Sequence, residues 1–316
     1  MTRDERIQAY TSLCEQGRIT ALFMQPWWLE ATGPWDVSLG VRNGQVVGAM
    51  PFSKTTYWGI SKIGMPALTH HLQIWMDKPP DISDHKWLTR EKQIIWLLIE
   101  GLPAYGFFSM VFEEKSFDNW LPFHWKGFRQ EMRYTFVIDK TPPDVLDQQL
   151  NRNLKRSLRN EGYKVKLTRE VDPDDFYHMC RQPFLRQKTN MPFSKSAFEK
   201  LDLAIQQHQA GIKLGMTAPS GQLIAVSYLL WDKERAYYFL AGDTEEGRDV
   251  GASIVLCRHA LRIAFEEMNL SSFDFCGSMI EPITEMRRQF GAKAVGLMKI
   301  YRAKWKIVDM VYSMMK

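Results

Sequence analysis

Two stretches of the chain share one pattern and decide its fold: VSLGVRNGQVVGAMPF, residues 37–52, and IKLGMTAPSGQLIAVSYLL, residues 212–230. In both, apolar positions alternate on either side of a turn that contains Gly-Gln. Such alternation is typical of strands, and a glycine between two runs of it indicates a tight turn. The sequence therefore predicts one β-hairpin in each half of the chain.

The surroundings of the two hairpins are also alike, which indicates an internal repeat. A helical stretch precedes each hairpin, and a long apolar helix with a strand follows it, at residues 94–112 in the first half and 257–275 in the second. Each half then continues with an aromatic residue, a helix end that contains glycine and a β-rich strand, at residues 123–139 and 286–302. The sequence therefore predicts two copies of one α/β unit.

The composition limits the class of protein. At 316 residues and 45% hydrophobic residues, the chain can build one large domain or two medium ones. Its cysteines are scattered without a metal-ligand spacing, which predicts reduced thiols in a cytoplasmic protein and no metal site. They are Cys14, Cys180, Cys257 and Cys276.

Residues 94–112 are long enough to cross a bilayer, but they contain polar and helix-breaking residues near their middle. These residues are Glu100, Gly101, Pro103 and Gly106. Because such groups are costly in lipid, we expect a buried helix, a turn and a strand here, and no transmembrane span.

The basic charge is concentrated in residues 151–170, which carry seven Lys or Arg against two Glu. Leucines at positions 150, 154 and 158 form the apolar stripe of an amphipathic helix. The basic residues off this stripe are Arg152, Lys155, Arg156 and Arg159. Two interpretations stay open: a solvated helix face that links two halves, or a site for a phosphate-rich ligand, such as a nucleotide-linked precursor or tRNA.

Several motifs resemble those of the FemAB-like tandem GNAT proteins: QPWWLEA near the start, the basic LNRNLKRSLRNEGYKV, and the ordered series YYFLAGD, GASIVLCRHALRIAFEEMNLSSFDFCGS and RRQFGAK. The resemblance implies an α/β (α+β) fold of two GNAT-like N-acyltransferase lobes in tandem, with mixed sheets flanked by helices. It predicts a degenerate lobe at residues 1–143, a basic connection at 144–170 and a catalytic lobe at 171–316.

The resemblance also implies a transferase that moves an acyl or aminoacyl group to the amine of a small molecule or peptide. The donor co-substrate would be acyl-CoA in some relatives and aminoacyl-tRNA in others, with no permanently bound cofactor. A runner-up is a non-catalytic protein of the same fold that binds a phosphate-rich ligand through its basic segment.

The candidate donor site is GRDVGAS, residues 247–253, at the start of an apolar helix. Helix N-termini bind anions, and small residues let a phosphate approach the backbone. Arg248, Gly251, Ala252 and Ser253 resemble the pyrophosphate loop of GNAT proteins, with Ser in the last place. The alternative is a simple loop before a capped helix. The matching stretch of the first copy, residues 78–92, has prolines and a tryptophan instead, which predicts donor binding in the second copy only.

The candidate catalytic residues are Asp274, Tyr238 and Glu285. Strand alternation turns Asp274 away from its neighbouring phenylalanines, so it could orient or deprotonate the amine, or else cap the next helix or pair with Arg287 or Arg288. Tyr238 could act as a general acid or pack in the core.

The candidate substrate-binding residues lie in two regions. Lys188 and Asn190 belong to a loop that could hold the acceptor or be a mobile surface segment. Arg287 and Arg288 are expected with Glu285 on the outer faces of a short helix, where they could bind a carboxylate or phosphate. Arg156 of the basic segment completes the set.

Overall fold

The computed structural model describes residues 1–57, 59–150, 152–158, 165–277 and 279–305. The chain divides into two compact units, one of Met1–Arg133 with Gly296–Lys316 and the other of Tyr134–Val295. Each unit holds a sheet flanked by helices, which confirms the predicted α/β class. The unit boundaries differ from the predicted lobe boundaries, because residues 297–303 pair with a strand of the first unit.

The first unit is built on a mixed sheet of strand order β1-β2-β3-β5-β12, with β4 paired to β2. Its strands are β1 (Trp35–Arg42), β2 (Gln45–Tyr57), β3 (Ile60–Gly64), β4 (Trp75–Met76), β5 (Phe107–Glu113) and β12 (Lys293–Ala303). Its helices are α1 (Arg3–Glu15), α2 (Pro26–Ala31), α3 (Asp84–Glu100) and α4 (Leu121–Trp125), with short 3-10 turns at Leu22–Met24 and Glu114–Ser116. All neighbours in this sheet are antiparallel except β3 and β5.

The second unit has a sheet of strand order β6-β11-β10-β9-β8-β7, in which β10 and β11 are parallel. Its strands are β6 (Arg129–Asp139), which enters the unit at Tyr134, β7 (Lys166–Thr168), β8 (Gly211–Thr217), β9 (Leu223–Trp231), β10 (Arg235–Asp243) and β11 (Ser272–Asp274). Its helices are α5 (Pro143–Gln149), α6 (Arg152–Leu158), α7 (Pro173–Arg186), α8 (Lys195–Gln207), α9 (Glu245–Asp249), α10 (Ala252–Arg262), which continues as a π-helical turn (Ile263–Glu267), and α11 (Glu281–Gln289).

Both predicted hairpins are confirmed. In the first, Asn43 and Gly44 have φ angles of 52° and 77° between β1 and β2, which is the backbone of a two-residue hairpin turn. In the second, β8 and β9 pair antiparallel around a turn that contains Gly221. Residues 94–112 form the end of α3 and most of β5. None of the helices in the described ranges has the length and apolar character that a membrane crossing requires.

The basic segment forms the predicted amphipathic helix, α6. Leu150 and Leu154 are buried in the core of the second unit, and Leu158 packs against that core. Arg152 is exposed, and Lys155 donates from Nζ to the carbonyl oxygen of Gln148 at 2.9 Å. The side chain of Arg156 and the whole of Arg159 lie outside the described residues.

A buried ion pair fixes α8 to the sheet of the second unit. The carboxylate of Asp202 accepts from Lys213 Nζ at 2.6 and 2.7 Å, from the Tyr228 hydroxyl at 2.6 Å and from Gln206 Nε2 at 2.9 Å. Asp202 and Lys213 are 4% and 8% exposed. Because the loop before α8 contains Lys188 and Asn190, this pair anchors one end of the predicted acceptor loop.

Candidate active site

The predicted donor loop connects β10 to α10 in the second unit. Gly251 takes the N-cap position with φ of 72°, a left-handed conformation that glycine adopts without strain. No side chain caps α10, and the backbone N–H groups of Ala252 and Ser253 donate to none of the described residues. These N–H groups and the helix dipole can therefore receive an anion.

The carboxylate of Asp243, the last residue of β10, organises this loop. Its Oδ1 accepts from Arg186 Nη2 at 2.9 Å and from Arg248 Nη1 at 3.1 Å, and its Oδ2 accepts from the Ser253 hydroxyl at 2.9 Å. Arg186 Nη1 also donates to the Asp243 carbonyl oxygen at 2.8 Å. Asp243 thus joins α7, α9 and α10, and it was not among the residues predicted from the sequence.

The loop also approaches β9 closely at Gly247. This glycine is buried, and its N–H donates to the Thr244 hydroxyl at 3.0 Å, while the Thr244 N–H donates to the carbonyl oxygen of Ile224 at 3.0 Å. A Cβ atom at Gly247 would overlap that same carbonyl oxygen. Only glycine therefore permits this approach of the donor loop to the sheet.

The strands β10 and β11 separate beside the donor loop. They pair only from Arg235 to Tyr237 on β10 and from Ser272 to Asp274 on β11, after which β10 continues to Asp243. After β11 the chain turns away through Cys276, whose φ is 54°. We call the point where this pairing ends, between Tyr238 of β10 and the end of β11, the opening.

Tyr238 is buried at this opening and is 8% exposed. Its ring centre lies 6.0 Å from that of Phe273 and 6.2 Å from that of Phe275. Burial raises the pKa of the Tyr238 hydroxyl above its usual value near 10. The phenol therefore stays protonated and can donate a hydrogen bond.

Asp274 is fully buried at the end of β11. Its Oδ1 accepts from the Thr135 hydroxyl and from the Cys276 N–H at 2.8 Å, and the Thr135 oxygen in turn accepts from the Gly277 N–H at 2.9 Å. Its Oδ2 has no hydrogen-bond partner among the described residues and lies 3.7 Å from Arg235 Nη1. The partners of Asp274 are therefore Thr135 and Arg235, and not the start of α11 or Arg288 as the sequence also allowed.

The two arginines of α11 have different environments, although the sequence predicted both on outer faces. Arg288 is exposed and pairs with Glu285 at 3.0 Å, whereas Arg287 is only 8% exposed. The reason is helical spacing, since Arg287 follows Ile283 by four residues and precedes Phe290 by three, and so shares the inner face. The expectation of an outward Arg287 is wrong.

The guanidinium of Arg287 has two buried nitrogens, Nε and Nη1, that find no hydrogen-bond partner in the described part of the chain. Its carbon lies 5.7 Å from the centre of the Phe275 ring. Burial lowers the pKa of Arg287, and the nearby Cys276 and Asp274 raise it in part. This side chain is a buried cation close to the opening between β10 and β11.

The remaining predicted residues lie elsewhere on the second unit. Lys188 and Asn190 are exposed in the loop between α7 and α8. The basic helix α6 borders a groove of about 410 Å³, which Lys155, Arg258 and His259 line together with Asp147. Arg258 Nε donates to Asp147 at 2.6 Å, so part of this positive charge is neutralised.

The structure therefore brings the predicted residues together in two groups. Arg248, Gly251, Ala252 and Ser253 lie in the donor loop, and Tyr238, Asp274 and Arg287 lie around the opening in the sheet. The exposed pair of Glu285 and Arg288 belongs to neither group.

Comparison with known proteins assigns the domain. Residues 146–281 match the family model described as Acetyltransferase (GNAT) domain. This part of the chain is therefore similar to a GNAT domain. The match spans the donor loop and the opening, and the predicted resemblance to tandem GNAT proteins is confirmed by the solved structures that share the fold. No curated protein matches the sequence.

The similar solved structures cover nearly the whole chain. FemX has a TM-score of 0.63 at 12% identity, over 95% of this chain and 96% of its own. The C-terminal domain of a putative lysylphosphatidylglycerol synthetase from Agrobacterium fabrum has a TM-score of 0.56 at 12% identity, over 99% and 96%. A tandem GNAT protein from the clavulanic acid biosynthesis pathway has a TM-score of 0.54 at 9% identity, over 94% of both chains. At these identities the likeness is one of fold alone.

Proposed function

We propose that this GNAT protein is an N-acyltransferase that binds acyl-CoA at the start of α10 and transfers the acyl group to an amine. The observation that carries the proposal is the pair of free N–H groups at Ala252 and Ser253 within the matched GNAT domain. A pyrophosphate placed there would accept from these groups and interact favourably with the helix dipole. The acyl arm would then run along β10 towards the opening beside Tyr238.

In the proposed reaction the amine attacks the thioester carbonyl directly. The C–N bond forms, the C–S bond breaks, CoA leaves as its thiolate, and the amine proton passes to Oδ2 of Asp274. Tyr238 donates a hydrogen bond to the carbonyl oxygen or the leaving sulfur. Full proton transfer from Tyr238 would be unfavourable, because its raised pKa exceeds that of a thiol, about 8.5. We assign no step to the exposed Glu285.

Thermal shift measurements with CoA and acetyl-CoA test donor binding, using two variants of one residue. Ser253→Ala removes only the hydrogen bond to Asp243 and should keep most of the ligand-induced stabilisation. Ser253→Asp places a carboxylate in the first turn of α10, where the helix dipole stabilises it but where it repels a pyrophosphate and the neighbouring carboxylate of Asp243. We expect Ser253→Asp to fold and to lose the stabilisation. Equal shifts in both variants, or no shift in the wild type, would exclude this donor site.

The groove beside α6 favours a second candidate function, the binding of a phosphate-rich ligand, including aminoacyl-tRNA as the donor. Its lining residue His259 has a lowered pKa, first because it is partly buried and then because Arg258, Arg262 and Arg169 are close, which indicates a positive field. Binding of tRNA should weaken steeply with salt, and Lys155→Ala should reduce the salt slope by about one. A slope that Lys155→Ala leaves unchanged would exclude the groove as the tRNA site.

A further inference from the structure

The guanidinium of Arg287 has no hydrogen-bonded counter-ion among the described residues, although the carboxylate of Asp274 interacts with it electrostatically. Arg287 is 8% exposed, and its Nε and Nη1 lack partners among the described residues. The contact with the Phe275 ring recovers only a small part of the cost of burying an ion. Folded proteins pair almost all buried charged groups, so an arginine in this state indicates a missing anion.

The position of Arg287 indicates where that anion would come from. The guanidinium is surrounded by groups of three neighbouring elements: Tyr238 of β10, Cys257 of α10, and Asp274 and Cys276 at the end of β11. These elements border the opening where β10 and β11 separate. In the proposed function, the reacting carbonyl and the attacking amine meet at this opening.

We propose that Arg287 binds a carboxylate of the substrate, so that the enzyme prefers an acyl group or an acceptor amine that carries one. The inference rests on the proposed function and names the class of its substrate. A carboxylate fits because it is small and brings a single negative charge to a site that already contains Asp274. A phosphate would add a larger group and more negative charge beside that carboxylate.

Two variants in the same helix turn separate this role from a structural one. Arg287→Met removes the charge and keeps an unbranched apolar chain, whereas Arg288→Met removes the exposed neighbour that pairs with Glu285. If Arg287 serves a ligand and not the fold, Arg287→Met should unfold at the same or a higher temperature than the wild type, because replacing an unpaired buried charge is neutral or stabilising. A clear fall in its unfolding temperature would indicate a structural role and overturn the proposal.

Binding is then measured by calorimetry in two arms that distinguish the source of the carboxylate. The donor arm compares succinyl-CoA with acetyl-CoA, and the acceptor arm compares free amino acids with their amides in the absence of CoA. We expect the carboxylate form to bind at least about tenfold more tightly in one arm, and this preference to vanish in Arg287→Met but not in Arg288→Met.

The acceptor arm does not depend on CoA, so it reports on Arg287 even if the proposed donor site is wrong. Failure of every CoA ester to bind would reject the donor site, while a carboxylate preference among the amino acids would still support Arg287. If neither arm shows a preference in the wild type, or if Arg287→Met retains it, the proposal is overturned.

Discussion

Removing the carboxylate of Asp202 should lower the free energy of unfolding more than most single changes in the second unit. Asp202 and Lys213 are almost fully buried, and Asp202 also accepts from Tyr228 and Gln206. In Asp202→Ala, the ammonium of Lys213 would remain buried at 8% exposure and lose its carboxylate partner. Breaking a buried pair in this way costs about 3–5 kcal/mol of the free energy of unfolding.

The reason for this cost can be separated from simple loss of packing by a second substitution. In the double variant Asp202→Leu with Lys213→Met, neither charge is present, and the principal loss is the hydrogen bond of the Tyr228 hydroxyl, about 1 kcal/mol. The double variant should therefore be more stable than Asp202→Ala. An exposed pair, Glu285 and Arg288, serves as the control, and Glu285→Ala should cost at most about 1 kcal/mol.

Urea unfolding followed by tryptophan fluorescence and circular dichroism gives the free energies, provided that both signals change together. A cost under about 1 kcal/mol for Asp202→Ala would show that no unpaired charge remains buried in this variant. A double variant as unstable as Asp202→Ala would show that the cost comes from packing and not from an unpaired charge.

Three further predictions concern the donor loop, the reaction and pH. Gly247→Ala should lower the free energy of unfolding in urea by about 1–3 kcal/mol, because its methyl group would push the donor loop away from Ile224. The same displacement should weaken CoA binding in calorimetry, and an unchanged CoA affinity would contradict this prediction. Asp274→Asn should lower kcat by about 10²-fold or more in a steady-state assay while CoA affinity persists, and an unchanged kcat would remove Asp274 from the mechanism. Burial raises the pKa of Glu91 in the folded protein above its usual value of 4.5. The stability that this group contributes is therefore fully present below pH 4.5 and is lost as the pH rises through the raised pKa. Urea unfolding of Glu91→Gln from pH 4.5 to 7 should therefore show its stability rising relative to the wild type, and a constant difference would exclude a role for Glu91 in the pH dependence.

The elements that depend on local pattern could be predicted from the sequence. Both hairpins follow from alternation and a glycine turn, and α10 follows from apolar residues spaced by three and four after Gly251. The repeat of these elements led to the tandem GNAT fold. The boundaries of the two units could not be predicted from local pattern, because residues 297–303 pair with β5, which is far away in sequence.

The contacts of the site could not be predicted, because they join residues distant in sequence. Thr135 reaches Asp274 only because β6 pairs with β11, and Arg186 reaches Asp243 from another helix. The burial of Arg287, by contrast, was within reach of the sequence. Counting four residues from Ile283 places Arg287 on the inner face of α11, although charged residues usually face solvent.

The carboxylate of Asp243 gives the donor loop an internal counter-ion. Since Arg186, Arg248 and Ser253 are already held by it, the loop is ordered before any ligand arrives, and a bound donor would not have to supply that ordering entropy. Arg248 also pairs with Asp243, so the backbone N–H groups of α10 are the principal groups that a phosphate could bind in the proposed function. If the protein binds CoA as proposed, its affinity should come from a rigid geometry more than from net positive charge, and it should change little with salt.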